Sequence, residues 1–297
     1  MDRIAKFLAH EGRVSLVVAK TTDLVDEIRK LHDLTPTTTA AVGRFATITG
    51  MMGFTDIKEQ DDYMTIQING NGPIGKMISV VRRDQVTSKV KVCIDNPHVE
   101  LPLKADGHLD VGNAVGKNGF LNILNKNEVT DTNYTGLVPL VSGEIAEDFA
   151  SYYAQSKQKP TVIALGVLVD KNGTKAAGGY MIQLLPDATE EDIESIEKAL
   201  ANCDSISKMI EDDISLEDIA MKVTGDENVM ILATELSLKY ECDCSKEKFE
   251  RGLISIGKKE LEKIIEEDGK ADTVCHFCNK KYHFTKEELE DLLKEIK

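Results

Sequence analysis

Tyr63-Met64-Thr65-Ile66-Gln67-Ile68-Asn69-Gly70-Asn71-Gly72-Pro73-Ile74-Gly75-Lys76-Met77-Ile78-Ser79-Val80-Val81 can be read in two ways that lead to different folds. Gly70-x-Gly72-x-x-Gly75 fits a dinucleotide fingerprint, follows a strand-like run, and has Asp95 20 residues further on. That reading needs a helix after Gly75, with its N-terminus available to a pyrophosphate. Lys76 to Val81 is instead a second strand-like run, and Pro73 takes a backbone N–H out of the loop. Met64, Ile66 and Ile68 alternate with Tyr63, Thr65 and Gln67, and the two Asn-Gly pairs between the runs are turn signals. The stretch reads as an antiparallel hairpin, which places the chain in the α+β class: a mixed core domain of antiparallel strands and packed helices.

The flanking sequence extends this pattern. Val162–Val169 and Lys175–Leu185 form a second expected hairpin across Asp170-Lys171-Asn172-Gly173-Thr174. Val14, Leu16, Val17, Val18 and Ala19 make a strand-like run, after which Thr22 caps a helical pattern of Leu24, Val25, Ile28 and Leu31. Thr35 at an N-cap and Pro36 at the first helical position open another helix. From Ala40 to Phe54 it is apolar on nearly every side, broken only by Arg44, so it belongs in the interior or between subunits. Ile145, Phe149, Tyr152 and Tyr153 line one face of a further helix.

Charge divides the chain. Its 297 residues carry a net charge of −15, and a pI near 4.9 argues against wrapping nucleic acid or sitting on anionic lipid. Residues 187–238 alone hold 15 acidic and 3 basic groups and no aromatic residue, with Ile193, Ile196, Leu200, Cys203, Met209 and Ile210 at helical spacing. Such a segment has a thin apolar face and depends on a neighbour to stay folded. The expected division is a core domain over 1–186, an acidic helical linker over 187–238 and a cysteine-bearing domain over 239–297. No run reaches the roughly 18 apolar residues of a membrane span, and no basic stretch leads into an apolar one at the N-terminus, so a soluble cytoplasmic chain is expected.

Cys242-Asp243-Cys244 and Cys275-His276-Phe277-Cys278 carry the chemistry. Two close pairs of thiols suit a tetrahedral Zn²⁺, one per chain, and a small terminal domain needs such a staple. A closed four-thiolate site is ordinarily structural. Thiols this close can also pair with each other when the metal leaves, and metal-bound thiolates are already deprotonated and open to oxidants. Zinc loss would then unfold the small domain and release the acidic segment before it.

The chain resembles the 33-kDa heat-shock protein family of redox-regulated holdase chaperones over essentially its whole length. The resemblance rests on the cysteine quartet and its insert, on Thr35-Pro36-Thr37-Thr38-Thr39-Ala40-Ala41, on Ile66 to Gly75, on Asp95-Asn96-Pro97-His98-Val99 and on Tyr134-Thr135-Gly136. It implies a cytoplasmic dimer, inactive while reduced and zinc-bound. On oxidation it implies Cys242–Cys244 and Cys275–Cys278 disulfides, zinc release, unfolding of the linker, and binding of unfolding client proteins without ATP. It implies no enzymatic activity. One departure is visible: Lys91-Val92-Cys93-Ile94 replaces an Arg-Gly-Tyr-like run before Asp95.

Two other functions compete. A thiol oxidoreductase would use the CxxC pair, but such a pair opens a helix, whereas Asn279-Lys280-Lys281-Tyr282 is turn-like. A zinc-ribbon nucleic-acid binder is opposed by the net charge. Cys93 and Cys203 are expected to be buried small hydrophobes, and His276 and His283 to be surface or supporting groups. His10, His32, His98 and His108 come with no partner motif for catalysis.

Overall fold

The computed structural model describes residues 1–59, 62–127 and 132–296. Two compact units emerge, Met1–Glu241 and Cys242–Lys297.

The larger unit begins with β1 (Arg3–Ala9), β2 (Val14–Lys20), α1 (Thr22–His32) and α2 (Pro36–Asp56). Next come β3 (Tyr63–Asn69), β4 (Lys76–Arg83), β5 (Thr87–Ile94), α3 (Val111–Val115), β6 (Phe120–Asn127), β7 (Thr132–Pro139) and α4 (Ala146–Gln155). It closes with β8 (Thr161–Asp170), β9 (Gly173–Leu184), α5 (Glu190–Asn202), α6 (Ile206–Glu211), α7 (Leu216–Thr224) and β10 (Met230–Tyr240). Among the described residues these strands form one ten-stranded sheet, in the order β7-β6-β3-β4-β5-β10-β1-β2-β9-β8. The pairing of β10 with β5 is parallel, while every other neighbouring pair is antiparallel.

The opening hairpin is present. β3 and β4 pair from Tyr63↔Arg82 to Asn69↔Lys76. Its glycines serve close packing: a Cβ on Gly70 would lie 2.0 Å from the Gly116 carbonyl oxygen, and one on Gly72 would lie 2.4 Å from that of Ala114. Asp95, which would hold a ribose in a dinucleotide site, instead accepts from the Lys76 N–H at 2.9 Å. In the second hairpin Asp170 pairs with Gly173, so its loop is tighter than the five-residue link the sequence suggests.

Helix α2 is buried from Thr37 to Phe54 except at Arg44. It packs on β2, β3, β4, β5, β8 and β9 and forms the centre of the main core, with Phe45, Ile48, Met51 and Met52 fully buried. Two caps differ from expectation. Thr21, not Thr22, is the N-cap of α1, and the carboxylate of buried Asp2 accepts from the Asp23 and Leu24 N–H groups at 3.1 and 2.6 Å. Burial pushes the Asp2 carboxyl up to about 6 against the pull of those bonds. Thr35 is at the N-cap of α2, but its hydroxyl donates to the Val99 carbonyl at 2.6 Å.

The expected division at 186 and 238 differs from the compact units. Ile196, Ile206, Met209, Ile210, Leu216, Ile219 and Val223 from α5 to α7 pack on Ala5, Phe7, Leu16, Val18, Tyr180 and Ile182 of β1, β2 and β9. This explains why Val14 to Ala19 is apolar without alternation: Val17 and Ala19 face the α2 core, while Val14, Leu16 and Val18 face the acidic helices. Moreover, residues 230–240 are not helical. They form β10, which joins β5 on one side to β1 on the other. No helix among the described residues is long and apolar enough to cross a membrane.

The smaller unit contains α8 (Lys246–Ser255), α9 (Lys258–Glu267), the hairpin β11 (Lys270–Val274) and β12 (Lys281–Thr285), and α10 (Lys286–Glu295). Thr285 and Glu288 cap α10 reciprocally, as the sequence reads. Its core is small, centred on Leu261, Phe284 and Leu289.

Candidate metal centre

All four quartet cysteines converge. Cys242 and Cys244 stand on the segment leading into α8, whose N-cap Ser245 follows directly. Cys275 and Cys278 stand in the turn between β11 and β12, beyond the last pair Val274↔Lys281. Inside that turn the Cys275 N–H donates to the Lys280 carbonyl at 2.9 Å, and the Asn279 N–H donates to the Cys275 carbonyl at 2.8 Å. Asn279 takes φ 58°, a left-handed conformation that asparagine tolerates well.

The four sulfurs lie within 4.8 Å of one another, with Cys242 to Cys275 at 3.7 Å and Cys244 to Cys278 at 3.4 Å. A tetrahedron with Zn–S arms of about 2.3 Å has edges of about 3.8 Å, so the donor set fits Zn²⁺ in size as well as in chemistry. Cys275 is buried and the other three are half-buried.

One residue at the site carries no signal in the cysteine spacing. The Tyr282 hydroxyl donates to Cys244 Sγ at 3.1 Å, its ring packs on Phe249 at 4.8 Å, and the Lys280 ammonium lies 5.2 Å from the ring. Burial pushes the Cys242 thiol upward, and the Cys278 thiol also. Burial acts on Cys244 as well, but hydrogen bonds from Tyr282 and the neighbouring thiols outweigh it and bring this thiol down.

Neither histidine joins the sulfurs. His283 bonds Asp272 at 2.8 Å across the hairpin, and His276 is exposed. Cys93 on β5 is half-buried. Cys203 ends α5 rather than lying on its face, and its thiol donates to the Lys222 carbonyl at 3.2 Å. Both are less buried than the sequence suggests.

A second cluster, which the sequence does not announce, holds the acidic helices. Arg13 donates through two nitrogens to the two oxygens of Asp192, at 2.8 and 2.9 Å, and His10 Nδ1 lies 3.3 Å from the same carboxylate. His10 Nε2 lies 3.0 Å from the Thr224 carbonyl oxygen. The turn between β1 and β2 thus grips both ends of the α5–α7 segment, and the guanidinium holds the Asp192 carboxyl well below the usual carboxylate range.

The profile of the Hsp33 protein family matches residues 2–285. The chain belongs to the Hsp33 family. A 33 kDa chaperonin of Bacillus velezensis is 43% identical over 293 residues, covering 98% of both chains. The Bacillus subtilis 33 kDa chaperonin is 42% identical with the same coverage. The crystal structure of the Thermotoga maritima 33 kDa chaperonin superposes with a TM-score of 0.87 at 35% identity, covering 99% of this chain and 98% of that one. Hsp33 proteins are chaperones rather than enzymes, and the CxxC pair in a hairpin turn rather than at a helix start agrees with that.

Proposed function

We propose that this Hsp33 chain is a redox-switched holdase, whose zinc-bound reduced form is inactive. In this reading it consists of an α/β core over 1–186, an acidic helical linker over 187–238 and a zinc redox switch over 239–297. Cys242, Cys244, Cys275 and Cys278 hold one Zn²⁺. The observation that carries the reading is the order along the chain: an acidic segment covering an apolar sheet face runs straight into the four-thiol cluster. Oxidation forms Cys242–Cys244 and Cys275–Cys278. Each pair of thiolates gives two electrons to one peroxide, which takes up two protons and leaves as two waters, so switching consumes two peroxides and releases one Zn²⁺. Pairing within each motif supports release, because it leaves residues 242–244 unlinked to the β11–β12 turn. Pairing across the motifs would keep the two clamped together.

Loss of zinc removes about 10–16 kcal/mol from the folding of a domain this small. The linker is then freed and exposes apolar surface to unfolding clients, in a cytoplasmic homodimer, with no ATP, nucleic acid or membrane involved. The test compares zinc content, free thiols and suppression of client aggregation before and after peroxide with mild heat. The expected outcome is four thiols lost with one zinc as suppression appears. Zinc release and both disulfides without suppression would falsify the reading.

A further inference from the structure

β10 holds the sheet together through a short pairing on one side and an irregular one on the other. Without β10 the order breaks into two blocks, β7-β6-β3-β4-β5 and β1-β2-β9-β8. Only Ser237 to Tyr240 pair with β5, against Thr87 to Val90. On the other side the pairing with β1 changes register twice, between Ile4 and Lys6 and between Lys6 and Phe7. At its start, Met230, Ile231 and Leu232 are all more than half exposed, so this end covers neither sheet face. Its other end stops at Tyr240, two residues before Cys242.

What β10 fills is specific. Leu236 and Leu238 are buried in the α2 core, with half-buried Ser237 between them. Leu238 enters a recess that exists because position 50 of α2 is glycine: a Cβ there would lie 2.8 Å from Leu238 Cδ1. Ser237 Oγ meets Thr87 Oγ1 at 2.9 Å. If β10 left, β1 would still pair with β2 and β5 with β4. α2 would still bridge the blocks through β2, β8 and β9 on one side and β3, β4 and β5 on the other. The slot would then present two rows of unpaired N–H and C=O groups and two empty apolar positions. Unpaired edges of this kind add a strand from another chain.

We propose that β10 is a removable strand, and that the slot it leaves between β1 and β5 takes an extended client segment as a replacement strand. The inference rests on the holdase reading and specifies its client. The segment carries apolar, preferably γ-branched side chains at i and i+2 with a small residue between, the pattern of Leu236-Ser237-Leu238. Such alternating segments are buried in folded proteins and exposed in unfolding ones, which gives selectivity without sequence recognition.

Hydrogen exchange tests this on the full-length protein in three states: reduced with zinc, oxidised, and oxidised with a chemically unfolded client protein. On oxidation, amides of residues 232–240 and those facing them in β1 and β5 are expected to exchange at least ten-fold faster. On adding client, β1 and β5 should slow at least ten-fold while 232–240 stay fast. The inference is overturned if 232–240 remain slow in oxidised, active protein, or if β1 and β5 stay slow on oxidation because they have closed on each other. It is equally overturned if client leaves β1 and β5 fast, or if their protection appears without client and grows with protein concentration, since the slot would then hold a second copy's β10. In each case client aggregation would still be suppressed. Loss of suppression itself is what would count against the holdase reading.

Discussion

Tyr282 shows how one side chain can bear on a cluster of four thiols. Its hydroxyl donates to Cys244 Sγ, and that bond helps bring the Cys244 thiol down. Groups that hydrogen-bond metal ligands are worth about 10–100-fold in metal affinity. Tyr282→Phe keeps the ring, its packing on Phe249 and its place in the small core, and removes only the donor. The expected result is a zinc affinity lower by about ten-fold or more in a chelator competition at neutral pH, with an unchanged fold by circular dichroism. Equal affinities would mean that the four thiols hold the metal unaided. The quartet was legible because two close cysteine pairs rarely occur in a chain of this kind except to bind a metal or to react. Tyr282 was not, since nothing in a sequence says which of seven tyrosines the β11–β12 register will turn toward a sulfur.

Among the elements, those that explain themselves locally are legible in the sequence. The β3–β4 hairpin carries its alternation and turn within a score of residues, and α2 declares its burial through an apolar surface all round. β10 could not be read in this way. Its partners lie about 150 and 230 residues away, its pairing with β5 is parallel, and it follows three helices in a segment dominated by acidic residues. At 186 the composition changes while the burial against β1, β2 and β9 continues into the helices. What docks α5 to α7 is an apolar face plus the Arg13–Asp192 pair. Arg13→Ala leaves the buried Asp192 carboxylate in the first turn of α5 without its main partner, and amides of residues 190–224 are expected to exchange about ten-fold faster in reduced, zinc-bound protein. The pH sign follows from the lowered Asp192 pKa. A group depressed on folding contributes above its unfolded value, near 4, and loses the contribution as pH falls through the folded one. The difference between wild type and variant should therefore stay constant from pH 5 to 8. A difference that vanished by pH 8 would assign the docking to something other than the Arg13–Asp192 pair.

On the proposed reading, charge and metal act on the same segment from opposite directions. Residues 187–238 carry a net −12, most of the chain's −15, and are held by apolar contact and a few ion pairs such as Arg13–Asp192 and Lys20–Asp213. Salt weakens both the attraction and the self-repulsion, so the sign of its effect depends on which is screened more. The Arg13–Asp192 contact is at 2.8 Å, and its carboxylate is almost wholly buried. The repelling carboxylates of α5 to α7 lie mostly in solvent, where the screening length falls from about 30 Å at 0.01 M to about 8 Å at 0.15 M. Repulsion is the more strongly screened term, so salt should stabilise the docked segment. At fixed peroxide and temperature, holdase activity is expected to appear faster at about 0.01 M than at about 0.5 M salt, while zinc release, governed by thiolate oxidation in the smaller unit, changes less. If activation were faster at high salt, the ion pairs would dominate, and the acidity of the segment would serve its solubility after release rather than its readiness to leave.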